Sequence, residues 1–170
     1  MVLMVLVGMI SCKQQIPFTN EVRTQYGLDA EKLPSLQYHL VGDIVLTKGS
    51  SVNNNQLGKG EILVNESQNL DKVIFRTGTQ GLFVREINEN QIAISFEKSD
   101  DFYLVFHSTS IKGLYKFTAD SWDTSGRGKL NYGGEEYLST RAAAEAYITV
   151  KVKKSSQFNS SQRIAKGRKL

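Results

Sequence analysis

Between Val73 and His107 the apolar residues recur in a pattern that predicts strands. Successive side chains of a strand point to opposite faces, so a sheet with one face on a core shows apolar residues at every second position. Ile92, Ile94 and Phe96 obey this, with Ala93 and Ser95 between them. Phe102, Leu104 and Phe106 form another apolar row, and Tyr103 and Val105 make the opposite face of that segment apolar as well. This segment is expected to be a central strand or one covered on both sides. Turn-rich connections at 77–81, 88–90 and 98–101 predict antiparallel hairpins between the strands.

Upstream, Thr19 offers an N-cap for a helix ending near Gly27, and Asp29 opens a second short turn that runs through Leu33 and stops at Pro34. Val22, Tyr26, Leu28 and Leu33 are expected to face the core. Leu36 to Thr47 reads as a strand interrupted at Gly42-Asp43, a sign of a bulge or sharp bend. Residues 48–60 form an Asn, Ser and Gly-rich loop, followed by a strand over 61–65. Downstream, Leu114 to Thr118 places Tyr115 and Phe117 inward, and 119–128 reads as a polar loop. Residues 129–138 form a hairpin on Gly133-Gly134. A helical turn follows over Arg141 to Glu145, then a closing strand over Ala146 to Lys153.

This makes roughly eight or nine short strands, the pattern of a mainly all-β barrel or sandwich with one or two short N-terminal helices. The segment Gly78 to Phe96, GTQGLFVREINENQIAISF, resembles the middle strands of SH3-like barrels. The resemblance implies a small antiparallel barrel; a β-sandwich is the alternative.

The first ten residues, MVLMVLVGMI, are uncharged and almost wholly apolar. A bilayer-spanning helix needs about 20 such residues, so this length suits the apolar region of a signal peptide instead. Met9-Ile10-Ser11-Cys12 ends it at the only cysteine of the chain. The tetrapeptide resembles the lipobox of bacterial lipoproteins, with Met9 where the family favours leucine. That resemblance implies a signal peptide over 1–11, acyl chains such as palmitate on Cys12, and a lipid anchor in the bacterial outer membrane, to which Lys13 also points. Two or three acyl chains hold a protein stably where one does not. The alternative is a buried N-terminal strand with one core cysteine. The expected organisation is then a tether over 12–17, a single domain over 18–154 and a disordered basic tail over 155–170.

The length of 170 residues, with 40% hydrophobic and 22% charged, suits one globular domain. The net charge of +4 is less telling than its distribution. Lys151, Lys153, Lys154, Arg163, Lys166, Arg168 and Lys169 all fall in the last twenty residues, and setting these seven aside leaves −3 for residues 1–150. A nucleic-acid binder carries its basic residues as a patch on the folded surface, so no nucleic-acid partner is expected. The tail suits anionic lipid or phosphate-bearing polymers, or serves only as a solubilising end.

The candidate chemistry is sparse. Asp120-Ser121-Trp122-Asp123 places the single tryptophan in a polar loop between carboxylates. Trp122, Asp120 and Asp123 therefore suit a sugar-stacking or protein-anchoring site, unless Trp122 tucks back over the barrel mouth. His39 and His107, with Asp43, lack the ligand number and spacing of a metal site and read as structural strand histidines. Asp100 and Asp101 are adjacent, so in a strand they would face opposite ways; they fit a turn better than a catalytic pair. There is no G-x-S-x-G, and the glycines at 126–128 and 133–134 lack the lysine and helix of a phosphate loop. No catalytic residue, metal or cofactor is expected. The sequence points to a membrane-anchored envelope protein with a binding or structural β module whose partner is an envelope protein or a glycan. The alternative is a periplasmic hydrolase or enzyme inhibitor whose site is assembled from loops.

Overall fold

The computed structural model describes residues 14–48 and 71–152. Cys12, the 49–60 part of the polar loop, the strand expected over 61–65 and the basic tail lie outside the described residues. The strands described are β1 (Gln14–Pro17), β2 (Tyr38–Val41), β3 (Ile44–Lys48), β4 (Lys72–Phe75), β5 (Gln80–Asn88), β6 (Gln91–Ser95), β7 (Tyr103–His107), β8 (Lys116–Thr118), β9 (Ser121–Trp122), β10 (Gly128–Tyr132), β11 (Glu135–Ser139) and β12 (Tyr147–Val152).

Antiparallel pairing runs β12-β2-β5-β6-β7-β8 and returns from β8 to β12, which closes six strands into a barrel. Of the two architectures expected, the barrel is the one formed. Its interior is filled by the alternating apolar rows: Tyr38 and Leu40, Ile92 and Ile94, Leu104 and Phe106, Ile148 and Val150 are all buried. β7 lies centrally between β6 and β8, as its two apolar faces predict. On its outer face Tyr103 is partly covered by Arg85, whose guanidinium lies 4.6 Å from the ring centroid.

The closing seam is short. β8 meets β12 only where Lys116 faces Tyr147. Beyond that point Phe18 stitches the gap, its N–H donating to Ile148 O at 3.0 Å and its carbonyl accepting from Tyr115 N at 3.1 Å. β1 then takes over the same edge of β12, from Pro17 opposite Thr149 to Gln14 opposite Val152. The segment expected to be a tether is therefore a strand over its described part. Its backbone satisfies the donors and acceptors of β12 that β8 is too short to reach.

A second sheet, ordered β4-β3-β11-β10-β9, packs its aromatics against those of the barrel. Tyr132 lies 5.8 Å from Phe75 and 5.3 Å from Phe102, and Phe75 lies 5.8 Å from Phe96, all between ring centroids. The chain crosses from barrel to second sheet at Gly42, the expected bend. Its φ of +87° suits glycine, and an added Cβ would stand 3.0 Å from Ala146 Cα. The 129–138 hairpin also forms as expected, on Gly133 and Gly134 at φ +63° and +84°.

One α-helix, α1 (Asn20–Gln25), is capped by Thr19, whose Oγ1 accepts from Val22 N at 3.1 Å. Leu33 is fully buried, and Val22 and Leu28 pack against the core. Tyr26 is 45% exposed, contrary to expectation. The helix is only six residues long, and at its C-cap Tyr26 has already left helical geometry, so it does not continue the inward face. The polar loop over 119–128 is likewise more ordered than expected, since β9 within it pairs with β10.

Candidate functional site

Trp122 sits in β9 opposite Gly128. Its ring packs edge-on to Phe117, 6.1 Å away with the planes at 80°. Gly128 makes room for this: a Cβ there would fall 3.1 Å from the indole Cζ3 and within 2.7 Å of Ala119 Cβ and Ser139 Oγ. The indole nonetheless stays 39% exposed and forms one wall of a groove of about 400 Å³. The other lining residues are His107, Thr109, Gly113, Leu114, Lys116, Phe117, Thr118 and Ala144.

The register explains what converges there. His107 ends β7 directly opposite Lys116 of β8, so both side chains leave the same face of the barrel. Val105 faces Thr118 one step on. The wall at 108–113 is held by Ser108, which is buried with its Oγ 2.9 Å from Ser110 O and 2.8 Å from Gly113 O, so that its single proton is shared between these two carbonyls. Lys116 Nζ donates to Glu145 Oε2 at 2.6 Å; both side chains are well exposed, and surface pairs of this kind contribute little to stability. The groove thus offers an aromatic surface, an imidazole, an ammonium and the hydroxyls of Thr109 and Thr118. Such a set stacks on an apolar ring face while bonding to its polar edge.

The two carboxylates expected beside Trp122 do not line this groove. Asp123 is consumed by its own turn: Oδ1 accepts from Ser125 Oγ at 2.7 Å, Arg127 N at 2.8 Å and Ser125 N at 2.9 Å, and Oδ2 from Arg127 Nε at 2.9 Å. The Ser125 hydroxyl first, and then Arg127, hold its carboxyl far below the usual carboxylate range. Asp120 accepts from Asn131 N at 3.1 Å and borders a separate hollow of about 140 Å³ with Lys129 and Glu136. Asp101 stays in its turn, accepting from Ser99 Oγ at 3.2 Å.

His39 and His107 are kept apart, since β5 and β6 lie between β2 and β7 in the sheet. Asp43 braces the bend after Gly42 by accepting from Thr77 N at 2.8 Å, a bond that lowers its pKa. No three His, Cys, Asp or Glu side chains gather among the described residues. His107, expected as a structural strand histidine, and Lys116, which carries no sequence motif, thus meet at the groove. The signal was present, because His107 follows Tyr103 and Val105 on the outward row of β7.

His39 is only 4% exposed. Burial first, and then the nearby Lys151 charge, push its pKa below the ordinary 6.5. The unfolded chain therefore takes up a proton more readily than the folded one, so stability should fall as pH drops below about 6.5 and level off below the folded pKa. Urea midpoints measured between pH 7.5 and 5 check this, and a His39→Gln variant should flatten that part of the profile. An unchanged slope in the variant would place the dependence elsewhere.

A second cavity, of about 420 Å³, lies beside α1 and is bordered by Arg23, Asn20, Glu89 and Asn90. Its polar groups are already engaged with one another. Arg23 donates to Glu86 Oε1 at 2.8 Å, Glu89 O at 2.9 Å and Tyr115 Oη at 3.0 Å, and Asn20 Nδ2 donates to Asn90 Oδ1 at 2.8 Å. This cluster fastens the helix to one end of the barrel.

The class defined by these features is a closed six-stranded antiparallel barrel with an accessory sheet and an aromatic-walled groove on its flank. Compared with known proteins, the chain matches no family, no curated protein and no solved structure.

Proposed function

We infer that this is a lipid-anchored cell-envelope protein whose barrel serves as a binding module, with the groove beside Trp122 as the binding surface. The observation that carries the binding role is the exposure of the single tryptophan at the wall of a groove that also collects His107, Lys116 and two threonines. A large aromatic left part-exposed beside convergent polar groups is typical of recognition surfaces. The partner is a glycan or an envelope protein. The anchoring role rests on the Met9-to-Cys12 motif and the apolar run before it.

Replacing Trp122 by alanine should reduce retention of the protein on isolated envelope fractions at least tenfold. Because the indole is partly exposed and sits at an edge, the same change should cost only about 1–2 kcal/mol of stability, less than truncating a fully buried aromatic. A loss above about 4 kcal/mol with retention intact would make Trp122 a packing residue. Anchoring is tested separately: labelled palmitate should enter the wild type expressed in a bacterium and not Cys12→Ser. Equal labelling of the two, or none in either, would remove the anchor.

The rival hydrolytic reading draws on His107 and Lys116, the two titratable groups that meet in the groove. Among the described residues the carboxylate bonded to them is that of Glu145, which is held on Lys116 Nζ at 2.6 Å, is well exposed and is not part of the groove's lining. The binding reading is favoured for that reason.

A further inference from the structure

The groove beside Trp122 has a sign as well as a shape. Around its aromatic wall stand two threonines, an imidazole and an ammonium, and among the described residues that line it no side chain is acidic. Lys116, Thr118 and His107 leave one face of the barrel, because residues two apart along β8 point the same way and His107 stands directly opposite Lys116. Phe117, between them in sequence, turns inward and meets the indole edge-on. The ammonium already holds one carboxylate. Glu145, its side chain 79% exposed against 43% for Lys116, reaches Lys116 Nζ from outside the lining. An exposed pair of this kind is held weakly, so a carboxylate brought by a molecule stacked on the indole can take the place of Glu145.

We propose that the groove binds acidic glycans, with a uronic acid ring stacked on Trp122 and its carboxylate held by Lys116 Nζ and the His107 imidazole in place of Glu145. The proposal rests on the reading of this groove as the binding surface and adds the class of ligand. A flat indole suits the C–H face of a pyranose, and leaves the ring's hydroxyls free to bond to Thr109 and Thr118. The volume of about 400 Å³ is that of a small-molecule site. One ammonium matches one carboxylate. Phosphate recognition favours planar guanidinium forks, and the described lining contains no arginine. Glu145 is then an internal competitor that sets how much the ligand's carboxylate gains.

Trp122 is the single tryptophan of the chain, so its fluorescence reports binding directly. Two matched pairs of probes isolate the charge: tetragalacturonate against its methyl ester, and tetraglucuronate of the cellulose linkage against cellotetraose. The acidic member of at least one pair should bind about tenfold more tightly than its neutral partner, as expected for one charge-assisted hydrogen bond, and added salt should narrow the gap. Lys116→Gln should bring the acid down to the affinity of the neutral probe. Glu145→Gln should tighten the acid by about threefold and leave the neutral probe unchanged. Both residues belong to an exposed pair, so the two melting temperatures should stay at the wild-type value. Equal affinities within both pairs, a gap that survives Lys116→Gln, a Glu145→Gln that does not tighten the acid, or no binding of any probe would overturn the proposal. The groove itself is judged separately. Charge-blind binding that calorimetry finds abolished in Trp122→Ala would keep the groove and discard the acidic ligand, whereas retention on envelope fractions unchanged by Trp122→Ala would remove the groove.

Discussion

Replacing Phe18 by alanine should destabilise the protein by about 3–5 kcal/mol, the range for truncating a fully buried aromatic. The ring is completely buried and packs edge-on to Tyr38 at 5.4 Å and tilted against Tyr115 at 4.9 Å. Its backbone also spans the point where β8 gives way to β1 along β12. A cavity at this position would leave the seam with main-chain bonds but without the side chain that packs beneath them. For a domain of this size the melting temperature should fall by about 10–20 °C. Phe18→Leu, which keeps most of the volume, should recover at least half of the loss. If alanine and leucine were equally harmful, the ring's edge contacts would matter more than the volume it fills. If neither were harmful, the seam would be held by its backbone alone.

Arg23→Ala should be the next most damaging change, costing about 2–4 kcal/mol. Its side chain is largely buried, and its three hydrogen bonds reach Glu86 on β5, Glu89 in the β5–β6 turn and Tyr115 before β8. Removing it strands the partly buried Glu86 carboxylate. The Tyr115 hydroxyl would keep its bond to Asn20 Oδ1 at 2.5 Å, so the network would be damaged at the carboxylate rather than throughout. Arg23→Lys keeps the charge and loses the planar fork, and should recover less than half of the lost stability. Urea denaturation of the three proteins measures both effects. By contrast, breaking the exposed Lys32–Asp29 pair should change little.

The contrast between what the sequence shows and what it hides follows from range. The alternating rows at 92–96 and 102–106 are local and strong, so β6, β7 and the barrel interior were legible from residue types alone. The Gly133-Gly134 turn and the bend at Gly42 were legible because each needs a backbone geometry that glycine adopts cheaply. β1 was not legible. Gln14, Gln15, Ile16 and Pro17 show no alternating apolar row and end in proline, and what makes them a strand is the vacant edge of β12, far along the chain. β9 is two residues long and exists only because β10 lies beside it. The groove was half legible for the same reason. Trp122 was conspicuous as a lone tryptophan among polar residues, but its neighbours come from 107–118 and from Ala144, which only the barrel brings together. Asp120 and Asp123 misled because adjacency in sequence suggested a shared site, whereas turn geometry claims Asp123 and β10 claims Asp120.

The union of β1 with β12 also sets the order in which the protein can fold. Gln15 donates to the Thr149 hydroxyl across a separation of 134 residues, and Thr149 in turn donates to His39 O at 3.2 Å. The hairpins of the middle region close short loops and can form early. The seam must await almost the whole described chain, and among the described residues its contacts close the longest loop, with the loop-closure entropy that this costs. Without β12, strands β1, β2 and β8 lack a common partner and Phe18 lacks the Ile148 carbonyl to which its N–H donates. The barrel therefore cannot close before synthesis has passed Val152.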